Sequence, residues 1–190
     1  MSQGKQNKAP TNKLEVVSVR LVRDAPIMSE MPIIQPIDAV KLLGDELCQL
    51  DRECLALICL KTNGVPACCS FCSLGGLNQS IAHPREIFKA AILANAASFI
   101  IIHNHPSNSL VASKEDILLT DRLVQLGGLI GIPLLDHIIV GSNNEEYFSF
   151  KEKDILPYPK NTYKTDYQEI SFDMPEVAEP VAVKMNRKHR

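Results

Sequence analysis

The stretch that most constrains the fold is Ser98-Phe99-Ile100-Ile101-Ile102, closed by His103-Asn104-His105-Pro106. The apolar run is short and β-branched, and a turn-prone segment follows it, which predicts a buried strand. Pro106 stops that strand and leaves two histidines at its end. On an extended segment residues i and i+2 share a face, so His103 and His105 can converge on one ion; on a helix the same spacing would splay them apart.

Residues 107–114 are mostly small or polar, and a 3.6-residue pattern through Ile117, Leu118, Val124 and Leu126 then predicts a long helix starting near Ser113. Asp116 in its first turn would add a carboxylate to the two imidazoles. Three protein ligands of this kind suit a zinc-like ion whose fourth tetrahedral position stays open, the arrangement of catalytic rather than structural sites. Each residue also has a plainer reading: Ser113 with Asp116 three residues on resembles a capping box, and the histidines are polar side chains at a strand mouth. The full set in this order favours the metal.

His-x-His, ten residues, then Asp, with Ser three before the Asp, resembles the JAMM (MPN+, JAB) metalloprotease motif. The wider wording resembles the RadC branch of that family: Ile81-Ala82-His83-Pro84-Arg85-Glu86-Ile87-Phe88, then His103-Asn104-His105-Pro106-Ser107, then Leu135-Asp136-His137-Ile138-Ile139-Val140-Gly141. The similarity runs from about Ile37 to Lys151. It departs from the family in the metal loop, where Asn108, Leu110 and Ala112 replace the usual Gly, Pro and Pro, a change that bears on loop stiffness and not on ligation.

The resemblance implies a single α/β domain of JAB/MPN type, a curved mixed sheet flanked by helices. It implies Zn2+ held by His103, His105 and Asp116, and hydrolysis of a peptide or isopeptide bond. Glu53, fifty positions before His103, matches the family's acid–base residue, which accepts a proton from water and delivers it to the leaving amine. Glu86 is the rival acid, but it follows Pro84 at a helix start, where a carboxylate favours the helix dipole. Ser113 matches the residue that steadies the oxyanion, a role that can lower a barrier by a few kcal/mol; as a plain N-cap it would contribute about 1 kcal/mol. A hydroxyl can serve both ends at once. His83 is a candidate to line the cleft, contact substrate or support the ligands, against a capping or packing role; Asp136 and His137 are candidates to orient a ligand, against a packed, satisfied histidine.

The rest of the chain frames this centre. Pro36 to about Leu50 has helical spacing with Pro in the first turn. Glu53–Leu60 and Val65–Leu74 are expected as a hairpin closed by Asn63-Gly64, and Gly75–Ser80 as a loop. A helix is expected from His83 to about Ala97, where Arg85 faces either a substrate carboxylate or a local acid. Gly127-Gly128 and Gly131 are expected to break the long helix, before strands at Ile132–Val140 and Tyr147–Phe150. The division is an N-terminal arm and linker over 1–35, holding an edge strand or arm at Leu14–Val22, a catalytic domain over 36–153, and a Pro-rich tail over 154–190. No internal repeat is found.

At 190 residues and 45% hydrophobic content the chain can bury a real core, and a formal charge of −2 leaves no electrostatic footprint for nucleic acid. The polar, lysine-bearing N-terminus is neither a signal peptide nor an anchor, and no apolar stretch reaches a membrane span, so a cytoplasmic protein without a membrane partner is expected. Six cysteines fall between Cys48 and Cys72; they are expected to be reduced thiols in core and edge positions, with the Cys69-x-x-Cys72 spacing lacking a second metal pair. The expected partner is a peptide or protein substrate. Two other classes stand beside it: the resemblance to RadC also implies a DNA-repair or mobile-element accessory factor acting with nucleic acid, for which neither the charge nor the basic end Arg187-Lys188-His189-Arg190 gives more than thin support, and a metal-binding module without catalysis is the other. The letters His-Asn-His do not make an HNH nuclease, whose motif is dispersed along a ββα unit and gives Ser113 and Asp116 no role.

Overall fold

A computed structural model describes residues 18, 22, 31–74, 83–143 and 146–160. The Gly75–Ser80 loop, most of the N-terminal arm and the basic C-terminal cluster lie outside these residues. The chain divides into units Met1–Pro159 and Lys160–Arg190, and only Lys160 of the second is described. Ser18 and Val22, from the expected Leu14–Val22 strand, are in neither helix nor strand.

The elements follow in the order α1 (Pro36–Cys48), β1 (Cys54–Leu60), β2 (Pro66–Leu74), α2 (Pro84–Leu93), β3 (Ser98–Asn104), α3 (Lys114–Ile130), β4 (Leu134–Val140) and β5 (Tyr147–Ser149). The strands form one sheet in the order β2-β1-β3-β4-β5. All pairs are antiparallel except β3 with β4, which α3 joins because parallel neighbours need a crossover. This is the expected α/β class with a mixed sheet.

Side-chain alternation divides the sheet into two buried faces. Leu55, Leu57, Cys59, Phe99 and Ile101 pack with Ile87, Phe88 and Ala91 of α2 and Leu119, Leu123 and Val124 of α3. The intervening Cys54, Ala56, Ile58, Leu60, Ile100 and Ile102 pack with Ala39, Val40, Leu43 and Leu47 of α1. β1 is therefore apolar at every position and buried throughout, as a central strand covered on both sides must be. Cys69 packs with the α1 side and Cys72 with the α2–α3 side, so the Cys-x-x-Cys spacing splits this pair across the sheet.

Local chemistry sets the boundaries. Pro36 occupies the first turn of α1, and the Asp38 carboxylate accepts from the Ile34 and Gln35 amides, 3.0 Å each. In the hairpin, Gly64 takes φ +77°, the left-handed conformation its turn requires. The expectation that Gly127 and Gly128 break α3 is corrected: the helix runs through both and ends at Gly131, whose φ of +80° makes a left-handed cap. Gly127 is where the chain folds back on the helix, and a Cβ there would lie 2.7 Å from the Ile132 carbonyl oxygen. Because that neighbour is backbone, Gly127→Ala is expected to destabilise the domain by about 1–3 kcal/mol. Thermal denaturation checks this, and an unchanged midpoint would refute it.

Candidate metal centre

The His-Asn-His run uses both faces of β3. His103 and His105 lie on the α3 side at the C-terminal end of the strand, and both are buried. Their Nε2 atoms are 2.9 Å apart. The first turn of α3 brings Asp116 against them, Oδ1 at 3.3 Å from His103 Nε2 and Oδ2 at 3.7 Å from His105 Nε2. A tetrahedral zinc with bonds of about 2.0–2.1 Å holds its donors about 3.3 Å apart; the three separations here bracket that value.

His105 Nδ1 is 2.6 Å from the Ser109 carbonyl oxygen. A carbonyl only accepts, so Nδ1 carries the proton, and the neutral ring presents a bare Nε2 to the centre. Burial pushes His103 down to about 4 against the pull of Asp116, which keeps it in the neutral form a metal ligand needs. The contact with Asp116 raises His105 against burial. Burial would raise Asp116, but the contact with His105, the electrostatic influence of the adjacent His103 ring and hydrogen bonds from Ser113 outweigh it and hold the carboxylate low.

Ser113 is the N-cap of α3 and is fully engaged with Asp116. Its amide and hydroxyl donate to Asp116 Oδ2 at 2.8 and 2.6 Å, while its oxygen accepts from the Asp116 amide at 3.1 Å. Its hydroxyl proton is thus spent on Asp116 in this state, and service to an oxyanion requires it to turn.

Asn104 points to the opposite face, a use its sequence position between two histidines conceals. It is 1% exposed; its Oδ1 accepts from the Cys54 amide at 2.8 Å and its Nδ2 donates to the Arg52 carbonyl at 3.1 Å, with the Leu50 carbonyl at 3.5 Å. These bonds fasten the segment before β1 to the end of β3. Leu55 pairs with His103 in the antiparallel ladder, and the same register carried two residues further sets Glu53 across from His105. Glu53 is exposed, and its charge acts on His105. Glu86, the rival, pairs with Lys89 and with Arg85 at 3.4 Å on the outside of α2, which also accounts for Arg85.

Of the three candidate supports, only His137 reaches the candidate ligands, its Nε2 lying 2.9 Å from His103 Nδ1. Asp136 turns to the β5 side, where it accepts from Ser149 Oγ at 2.6 Å, the His137 amide at 2.8 Å and the Lys151 amide at 3.0 Å; burial raises its carboxyl despite these bonds. His83 is an exposed N-cap of α2, accepting from the Arg85 amide at 3.2 Å.

Among the described residues, His103, Asp116 and His137 also offer donor atoms within 4.8 Å of one another, a candidate metal site sharing two residues with the first. His137 is fully buried and stacks on Phe150 with ring centroids 4.8 Å apart. An ion drawn to that side would be enclosed by protein, whereas His105 on the other side stands across from exposed Glu53.

No helix of the described residues is long and apolar enough to cross a membrane. The family model for the RadC-like JAB domain matches residues 33–155. The chain is 46% identical over 129 residues to a UPF0758 protein of Clostridium perfringens, covering 68% of this chain and 56% of the relative. It is 49% identical over 124 residues to one of Clostridium tetani, covering 65% and 54%. A third, from Desulforamulus reducens, is 45% identical over 121 residues, covering 64% and 52%. The chain thus spans about half the length of the curated relatives it matches. The matched span contains the whole sheet and every residue of the centre, and the chain belongs to the RadC-like JAB domain family.

Proposed function

We propose that His103, His105 and Asp116 hold a divalent ion of the zinc type and that the chain is a metal-dependent hydrolase of peptide or isopeptide bonds. The observation that carries this is the 2.9 Å approach of two imidazole Nε2 atoms beside a carboxylate oxygen. With His105 Nδ1 holding its proton for Ser109, a shared cation relieves the close approach of the two Nε2 atoms. Two imidazoles and one carboxylate fit such an ion and leave room for a non-protein ligand.

When bound, the ion supplies an acidified water and a Lewis acid for the substrate carbonyl. Glu53, exposed beside His105, accepts the proton of the attacking water and delivers it to the leaving amine. Ser113 turns its hydroxyl from Asp116 Oδ2 to the substrate oxygen as negative charge develops, and its amide keeps Oδ2 bonded meanwhile. Asn104 holds the Glu53 segment at the correct distance from the strand.

The test is metal content and zinc uptake of the wild type and of the double variant His103→Ala, His105→Ala. Near-stoichiometric zinc in the first and none in the second is expected. A wild type unable to take up zinc at neutral pH would sink the hydrolase reading.

A further inference from the structure

Behind His103 runs a chain of hydrogen bonds that returns to the helix carrying Asp116. His103 Nδ1 meets His137 Nε2 at 2.9 Å, and His137 Nδ1 meets Thr120 Oγ1 at 2.6 Å. Thr120 Oγ1 donates to the backbone carbonyl of Asp116 at 2.6 Å. Thr120 and His137 are 1% and 0% exposed, so water does not supply alternative partners.

The far end dictates the polarity of the whole chain. A hydroxyl has one proton and the Asp116 carbonyl can only accept, so Thr120 spends its proton there and faces His137 as an acceptor. His137 Nδ1 must then be the donor, which leaves its Nε2 as a bare acceptor, and His103 must donate from Nδ1. The result is a bare His103 Nε2 aimed at His105 and Asp116. We propose that Thr120 and His137 are positioning residues that fix the tautomer and ring orientation of His103, so that its Nε2 is presented as a metal ligand. A threonine bonded to the carbonyl four residues back is common in helices, but here the same oxygen also orders two histidines.

The inference rests on the metal reading, and the experiment separates the two. Zinc affinity is measured by chelator competition, and the visible spectrum of the Co2+-loaded protein is recorded, for the wild type, Thr120→Val and Thr120→Ser. Long-range proton–nitrogen NMR correlations of the imidazoles are taken on the ion-free proteins. Thr120→Val is expected to weaken zinc binding about 10- to 100-fold and alter the Co2+ bands, with Thr120→Ser restoring both. The ion-free wild type should show His103 and His137 protonated at Nδ1, and Thr120→Val should lose that order. Circular dichroism confirms that each variant is folded; should Thr120→Val not fold, the wild-type and Thr120→Ser spectra decide. His103 protonated at Nε2 in ion-free wild type, or a folded Thr120→Val with wild-type affinity and tautomer, overturns the proposal. Failure of the wild type to bind zinc overturns the metal reading instead, because the tautomer is read without the ion.

Discussion

Replacing Glu53 with Gln is expected to lower hydrolysis about 100- to 10,000-fold while leaving zinc content unchanged. Gln preserves the shape and the polar contacts of the side chain but cannot take a proton from water at neutral pH. The effect corresponds to about 3–5 kcal/mol on the barrier. Glu53 is exposed, precedes β1 and belongs to neither buried face, so no loss of stability should accompany it. The check is turnover on a peptide or isopeptide substrate found by screening, with zinc content and thermal midpoint determined on the same samples. Full activity in zinc-loaded Glu53→Gln would remove Glu53 from the mechanism. Activity absent from wild type as well, with zinc bound, would favour a metal-dependent binding module.

Asn104→Ala should be the most damaging single change outside the three proposed ligands. It strips the partner from the Cys54 amide and from two carbonyls of the segment leading into β1. An unsatisfied buried backbone group costs about 1–3 kcal/mol. The carbonyls can recover water at the surface but the Cys54 amide cannot, so about 2–4 kcal/mol in total is expected, enough to lower the thermal midpoint by roughly 10 °C. A functional consequence should follow: the released segment carries Glu53, so turnover should fall while zinc affinity stays close to that of the wild type. Differential scanning calorimetry and zinc competition together test this. Stability equal to the wild type, or zinc affinity lost in step with turnover, would count against the assignment of Asn104 as the fastener of the Glu53 segment.

The elements were legible where the signal is local. The apolar run ending at Ile102, Pro36 in a first turn, the Asn63-Gly64 reversal and the cap at Ser113 each announce a strand, helix or turn through a few neighbouring residues, and β3, α1, the β1–β2 hairpin and α3 lie where those signals put them. The glycines in α3 misled because their value as helix breakers is intrinsic, whereas Gly127 is demanded by the backbone of Ile132, which comes into contact only after the chain has turned. His137 announced itself as a polar residue in an apolar run, but its partners do not lie beside it in sequence: Thr120 is on the crossover helix and His103 on the neighbouring strand. Asn104 was hidden in plain view. Strand alternation alone places it on the face opposite the histidines, but its partners lie before β1, which pairs with β3 only in the folded sheet.

That alternation also ties the centre to the alignment of the sheet. β3 presents histidine, asparagine and histidine in strict succession to one side, the other, and the first again. A slip of one position would drive both imidazoles into the apolar layer beneath α1 and swing the amide toward Asp116; it would also take Phe99 from its edge-on contact with Phe88, whereas Ile100, Ile101 and Ile102 would exchange faces apolar for apolar. The polar end of this strand discriminates between the two alignments more sharply than its isoleucines do, so the two imidazoles proposed to hold the ion, with the asparagine between them, also proofread the strand that bears them.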